Sequence, residues 1–191
     1  MTLARGRLVG RGTATGWWAA DHERKQAIEA DLAEKGLEGL ERDREARRIL
    51  AGHGIYPMHE KSSYNTLVNG GTAIMLDLLI AAAVTGFANA NAGLGVGDSS
   101  AAFVLTQTNL QGAVNVTNRV RKATTSVTRA TNVGTFVTTF LTTDANFVWN
   151  EWAIFNNATD GSGTMLNRAV TNLGTKTSAS AWQLTATLTL T

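Results

Sequence analysis

The ten residues Trp182-Gln183-Leu184-Thr185-Ala186-Thr187-Leu188-Thr189-Leu190-Thr191 decide the fold. Trp182, Leu184, Ala186, Leu188 and Leu190 alternate with Gln183 and the threonines, and a period of two predicts one half-buried strand. The same alternation continues upstream. Val133, Thr135, Val137, Thr139 and Leu141 share one face of a strand, and Phe136 and Phe140 share the other. In the aromatic run 147–155, Phe147, Trp149, Ala153 and Phe155 are expected on one face of a core strand and Trp152 on the opposite one. Further strands are expected near 94–97, 114–120, 123–131 and 164–171, with turn signals at Asn132, Asp144 and the run 156–163. Short strands at such spacing, without a long helix between them, argue for an antiparallel sandwich. Threonine, being β-branched, suits its exposed faces.

The front of the chain is different in kind. Of the 32 Asp, Glu, Lys and Arg residues, 21 lie in the first 61 positions of a 191-residue chain. The formal net charge is only +2, so the basic excess by itself does not argue for nucleic-acid binding. The 43% of hydrophobic residues is enough for a packed core. There is no cysteine, so stability is expected from packing or assembly, as suits a reducing cytoplasm. The N-terminus has arginines but no apolar run, and no secretory signal is expected. The most apolar stretch, 74–84, is far short of the ~20 residues of a membrane span and carries Asp77, so no membrane partner is expected.

Residues 1–18 read as an extended arm, with Arg5, Arg7 and Arg11 among four glycines and Trp17-Trp18 at its end. Two readings stay open for it: an anchor that orders on a partner, or an unpacked terminus. Residues 19–60 read as a charged helical segment in which Glu34, Glu38, Glu41 and Glu45 interleave with Arg42, Arg44, Arg47 and Arg48. Gly36 and Gly39 predict a break in it, and Gly52, Gly54 and Pro57 its end. Residues 61–191 read as a docking helix, capped by Ser62 or Ser63 and running to about Val84, followed by the sandwich. The expected fold class is therefore α+β, a C-terminal antiparallel β-sandwich preceded by charged helices and an extended arm.

Catalytic constellations are hard to assemble from these residues. A glycosidase-like carboxylate pair would need Asp98 and Glu151 to meet, which their spacing does not predict. A Ser-His-Asp arrangement would need His53 or His59 to fold back onto the sandwich. His53, His59 and Glu60 lack metal-site spacing and read as loop residues around Pro57. Gly93-Leu94-Gly95-Val96-Gly97 lacks the lysine of a phosphate loop, and its glycines read as sites of close backbone approach. Arg119, Arg121, Lys122 and Arg129 form a modest basic cluster without an interleaved aromatic platform. They read as contacts to an acidic protein surface or as solvated charges. Trp152, if exposed, would mark an interface. No cofactor or metal is expected.

Three stretches carry a resemblance: Asn89 to Ser100 (NANAGLGVGDSS), Trp149 to Asn156 (WNEWAIFN) and Gly163 to Arg168 (GTMLNR). With RKA at 121–123 and the C-terminal WQLTATLTL they resemble, in order over about residues 60–191, virion structural proteins of tailed bacteriophages. The similarity is to small β-sandwich proteins of heads and tails and to the head-proximal part of collar fibres. What it implies is a non-enzymatic, oligomeric virion component assembled in the host cytoplasm. The absence of a distal shaft in the sequence turns the expectation toward a capsid decoration or stabilising protein. On this reading Arg5, Arg7, Arg11, Trp17 and Trp18 grip the major capsid protein or another virion protein. Arg119, Arg121 and Trp152 would face oligomer mates, expected as a trimer, with no direct nucleic-acid contact. A tail or collar-fibre adaptor is the alternative, and a carbohydrate-binding module the second alternative.

Overall fold

Residues 8–18 of the expected arm form a strand despite their glycines. In the computed structural model, which describes residues 8–190, Leu8–Trp18 is β1, and it pairs antiparallel with two neighbours. Gly12 and Gly16 face inward there. A Cβ at Gly12 would overlap the indole of Trp152, and one at Gly16 the indole of Trp182. The glycines are sockets for two core tryptophans. The reading of an arm separate from the body is thereby corrected for residues 8–18, because a strand paired on both edges is part of the sheet.

Helices α1 (Ala19–Glu34) and α2 (Gly39–Gly52) follow. The expected break between them is present: Gly36 adopts φ +84°, and Leu37 N–H closes on Leu32 C=O at 3.0 Å. Next come β2 (His59–Leu67) and α3 (Asn69–Leu79). The expected helix capped by Ser62 or Ser63 is thus overturned, since both serines lie within β2 and the helix starts at Asn69. The reason is tertiary. β2 is polar along most of its length, yet its backbone completes the edge of β1, with Thr13 opposite Ser62.

The remaining strands are β3 (Gly93–Gly97), β4 (Arg119–Ala123), β5 (Ser126–Ala130), β6 (Val133–Phe140), β7 (Val148–Phe155), β8 (Met165–Thr175) and β9 (Ser180–Leu190). Residues 114–118, expected as strand, form turns instead, and pairing begins at Arg119. The strand order is β4-β3-β7-β8-β2-β1-β9-β6-β5, antiparallel throughout. It folds into two packed sheets. β2 belongs to both, pairing with β1 through residues 59–65 and with β8 through Thr66 and Leu67.

The core between the sheets contains Leu94, Val96, Phe140, Trp149, Trp152, Trp182 and Leu184. Trp149 packs edge-on against Phe140 and against Trp182, each at 4.9 Å between centroids. The alternation in β9 is as its sequence predicts. That in β7 is not. Its register against β8 shifts between Trp149 and Glu151, so Trp149 and Trp152, three residues apart, both reach the core.

Candidate functional site

The motif residues converge on the outer face of the sheet containing β3, β4, β7 and β8. Glu151 lies opposite Gly97, and the missing side chain there leaves space for its carboxylate. Glu151 Oε1 accepts the backbone N–H of Gln111 at 2.8 Å and of Gly112 at 2.7 Å. Arg168 Nε donates to Glu151 Oε2 at 2.7 Å, and both side chains are fully buried. The rest of the Arg168 guanidinium is occupied by Gln107 Oε1 at 2.9 Å and Ala101 C=O at 3.0 Å. A buried pair is tolerable only when its remaining donors and acceptors are filled in this way. Together these bonds fasten the loop 98–118 to the sheet.

Arg121 fastens the second loop. Its guanidinium lies 3.4 Å from the centroid of Phe155 and donates to the carbonyls of Asn157, Thr159 and Ser162 at 3.1, 2.9 and 2.7 Å. Burial lowers its pKa to about 10, against the favourable pull of Asp160. Arg119 pairs with Asp160 at 2.7 Å. Burial works against the Asp160 carboxylate, but hydrogen bonds from Arg119 and Asn109 and the nearby arginine charges hold its pKa below the ordinary value. Asp98 accepts from the Asn118 amide, and its carbonyl accepts from Asn150 at 2.8 Å.

Several expected contact residues are corrected by this geometry. The side chains of Arg119 and Arg121 are 8% and 1% exposed, because the loops fold back over them. Trp152 is wholly buried and donates its indole N–H to Ser63 Oγ at 2.9 Å. None of the three is a free interface residue. Asp98 and Glu151 do approach a common neighbour, Gly112, yet the Glu151 carboxylate is spent on an arginine and two amides.

The outer face of the other sheet is covered by the α1–α2 hairpin through a polar layer that the sequence reading missed. Lys25 is fully buried, pairing with Glu29 at 2.6 Å and Asp43 at 2.8 Å. Arg47 reaches Asp43 at 2.8 Å, Glu60 at 2.5 Å and Thr15 Oγ1 at 3.0 Å. Burial disfavours the Asp43 carboxylate, but Lys25 and Arg47 outweigh it and its pKa falls. His22 is buried beside them without a hydrogen-bond partner at either ring nitrogen. Burial, aided by the Lys25 charge, lowers its pKa to about 4. The available signal is the i,i+4 spacing of Lys25 with Glu29 and of Asp43 with Arg47.

Of the expected grip residues, Arg5 and Arg7 lie outside the described residues. Trp17 is corrected: it is fully buried under the hairpin, with the Arg47 guanidinium 5.9 Å from its ring. Trp18 is 52% exposed, and Arg11 is exposed with one bond, to Ser62 Oγ at 2.8 Å. His59 is not a loop residue; it stacks on Trp182 at 4.3 Å and contacts Leu173 C=O at 2.5 Å. Among the described residues no group of three His, Asp or Glu is placed to hold a metal.

Two apolar features remain. The last turn of α3 and the residue after it project Leu76, Leu79 and Ile80 into solvent, at 56, 80 and 74% exposure. Between the open ends of the two sheets lies an apolar cavity of about 430 Å³, lined by Met75, Phe87, Val127, Phe136, Leu166 and Leu188, with Arg129 at its side. Compared with protein-family models, with curated proteins and with solved structures, the chain matches none of them.

Proposed function

We propose that this chain is a non-enzymatic structural protein of a tailed-phage virion, acting as a capsid decoration or stabilising protein. The observation that carries the reading is the use to which the motif residues are put. Glu151, Arg168, Arg121, Asp160 and Asp98, the groups with the most chemistry to offer, are spent on fastening two loops to one sheet face. Such a network makes a rigid outer shell. The same occupancy counts against Glu151 as a glycan-cleaving acid, because its carboxylate has no free lone pair facing a cleft.

The grip on the shell narrows to Arg11 and Trp18, the two exposed residues of the expected set within the described chain. The partner is the major capsid protein or a neighbouring virion protein, and copies of this chain associate with one another. A tail or collar adaptor is the second reading, favoured by the sandwich motifs themselves. Proteomics on purified particles tests the proposal. The chain should co-purify at a fixed ratio to the shell protein. A ratio matching tail symmetry selects the adaptor, and absence from particles overturns both.

A further inference from the structure

The chain carries an apolar knob on α3 and, bordered by Met75 of the same helix, an apolar hole. The knob is the outward side of α3 and its exit, Leu76, Leu79 and Ile80. Between Lys61 and Asp98 the only charged residue is Asp77, which lies within this turn. Its carboxylate has no hydrogen bond or ion pair among the described residues. The hole is the 430 Å³ cavity between the sheets, large enough for two or three leucine-sized side chains. Arg129 lines it and is exposed; its only described bond is from Nη1 to the carbonyl of Thr131, at 2.7 Å. The rest of its guanidinium has no described partner, and Glu38 and Glu41 line a neighbouring groove with it.

We propose that the α3 knob of one copy inserts into the inter-sheet cavity of a second copy, with Asp77 meeting Arg129. This names the partner of the oligomer in the structural-protein reading and rests on it. The pairing follows from complementarity on both counts. The knob is neutral except for one acid on its flank, and the hole, lined mostly by apolar side chains with Thr128, Thr131 and Asn132 among them, has one base. A charged partner surface would have to strand its ions against Leu79 and Ile80, at a cost that an apolar pocket avoids. Three exposed aliphatic side chains of this size form the kind of patch that marks an interface. Knob and hole are complementary and not identical, so single insertions repeat head to tail, whereas two reciprocal insertions close a two-fold dimer.

Sedimentation velocity on the full chain tests it. The wild type should sediment above the 20.3 kDa monomer in a concentration-dependent way. Ile80→Lys with Leu79→Lys removes the knob, and Gly134→Leu fills the hole from β6, where a Cβ meets only Phe136 at 3.8 Å. Each variant alone should be monomeric, and an equimolar mixture should recover a dimer from the one intact knob and the one intact hole. Asp77→Arg should dissociate the oligomer and Arg129→Asp in the same chain should restore it, which guards against a variant that merely misfolds. A monomeric wild type, or a mixture that stays monomeric, overturns the inference. A monomer that still enters particles overturns this contact and leaves the virion reading standing; an oligomer absent from particles does the reverse.

Discussion

Glu151 and Arg168 face each other across β7 and β8 at 2.7 Å, and neither side chain reaches solvent. The pair holds the loop 98–118 in place through the amides of Gln111 and Gly112 and the carbonyl of Ala101. Removing one charge leaves the other buried and unpaired, which costs ~3–5 kcal/mol. Glu151→Gln should therefore lower unfolding stability by about that amount in urea denaturation. Adding Arg168→Met should recover much of the loss, because it removes the unpaired buried charge while the Gln carbonyl can still accept from the Gln111 and Gly112 amides. A Glu151→Gln chain as stable as the wild type would contradict the assignment.

Trp17 and Trp18 are neighbours with opposite fates. Trp17→Ala should cost ~3–5 kcal/mol, as expected for a large side chain emptied from a buried site. Trp18→Ala should change stability by less than ~1 kcal/mol, as for most exposed positions. Thermal or urea unfolding of the two variants separates a strand built into the sheet from a detached arm, for which both substitutions would be mild.

Gly12→Ala and Gly52→Ala make a matched pair. The first drives a methyl into the Trp152 indole and should cost ~1–3 kcal/mol. The second sits in the last turn of α2 with nothing within 4 Å of its Cβ, and should stabilise by up to ~1 kcal/mol. Equal effects at the two sites would refute the socket role of Gly12.

His22 sets an acid dependence. Its pKa is about 4 in the folded chain and ~6.5 when unfolded, so the unfolded state binds more protons between those values. The stability it contributes is complete above about pH 6.5 and is lost as pH falls toward 4. Asp43, whose pKa is also lowered, adds to the loss at the acid end as it is protonated. Urea midpoints measured from pH 7 to pH 4 should fall for the wild type. For His22→Leu they should fall less over the upper part of that range. An identical slope would exclude His22 as the source.

The sandwich was legible because β6 and β9 alternate cleanly, and the break at Gly36 was legible from helix propensity. β1 and β2 were not. In β1 the inward positions include Gly12, Ala14 and Gly16, a period of two written in small residues, which reads as flexibility unless the tryptophans that fill the space are known. In β2 only Leu67 is aliphatic, and the strand exists because β1 and β8 offer it pairing edges. Trp149 was expected on the face of Ala153 and Phe155, but the register shift against β8, which has no sequence mark, turns it to the face of Trp152. The arginines at 119 and 121 looked free because the loops that cover them are not periodic. The knob on α3 had a visible signal in the long charge-poor stretch around Asp77, which a docking helix absorbed too easily.

A density map of intact virus particles, purified from a culture that produces this chain, tests the proposed virion assignment most directly. The account predicts the two-sheet body repeated at symmetry-related positions on the shell, with Arg11 and Trp18 turned toward the capsid. Particles whose density contains no copy of the fold would contradict it.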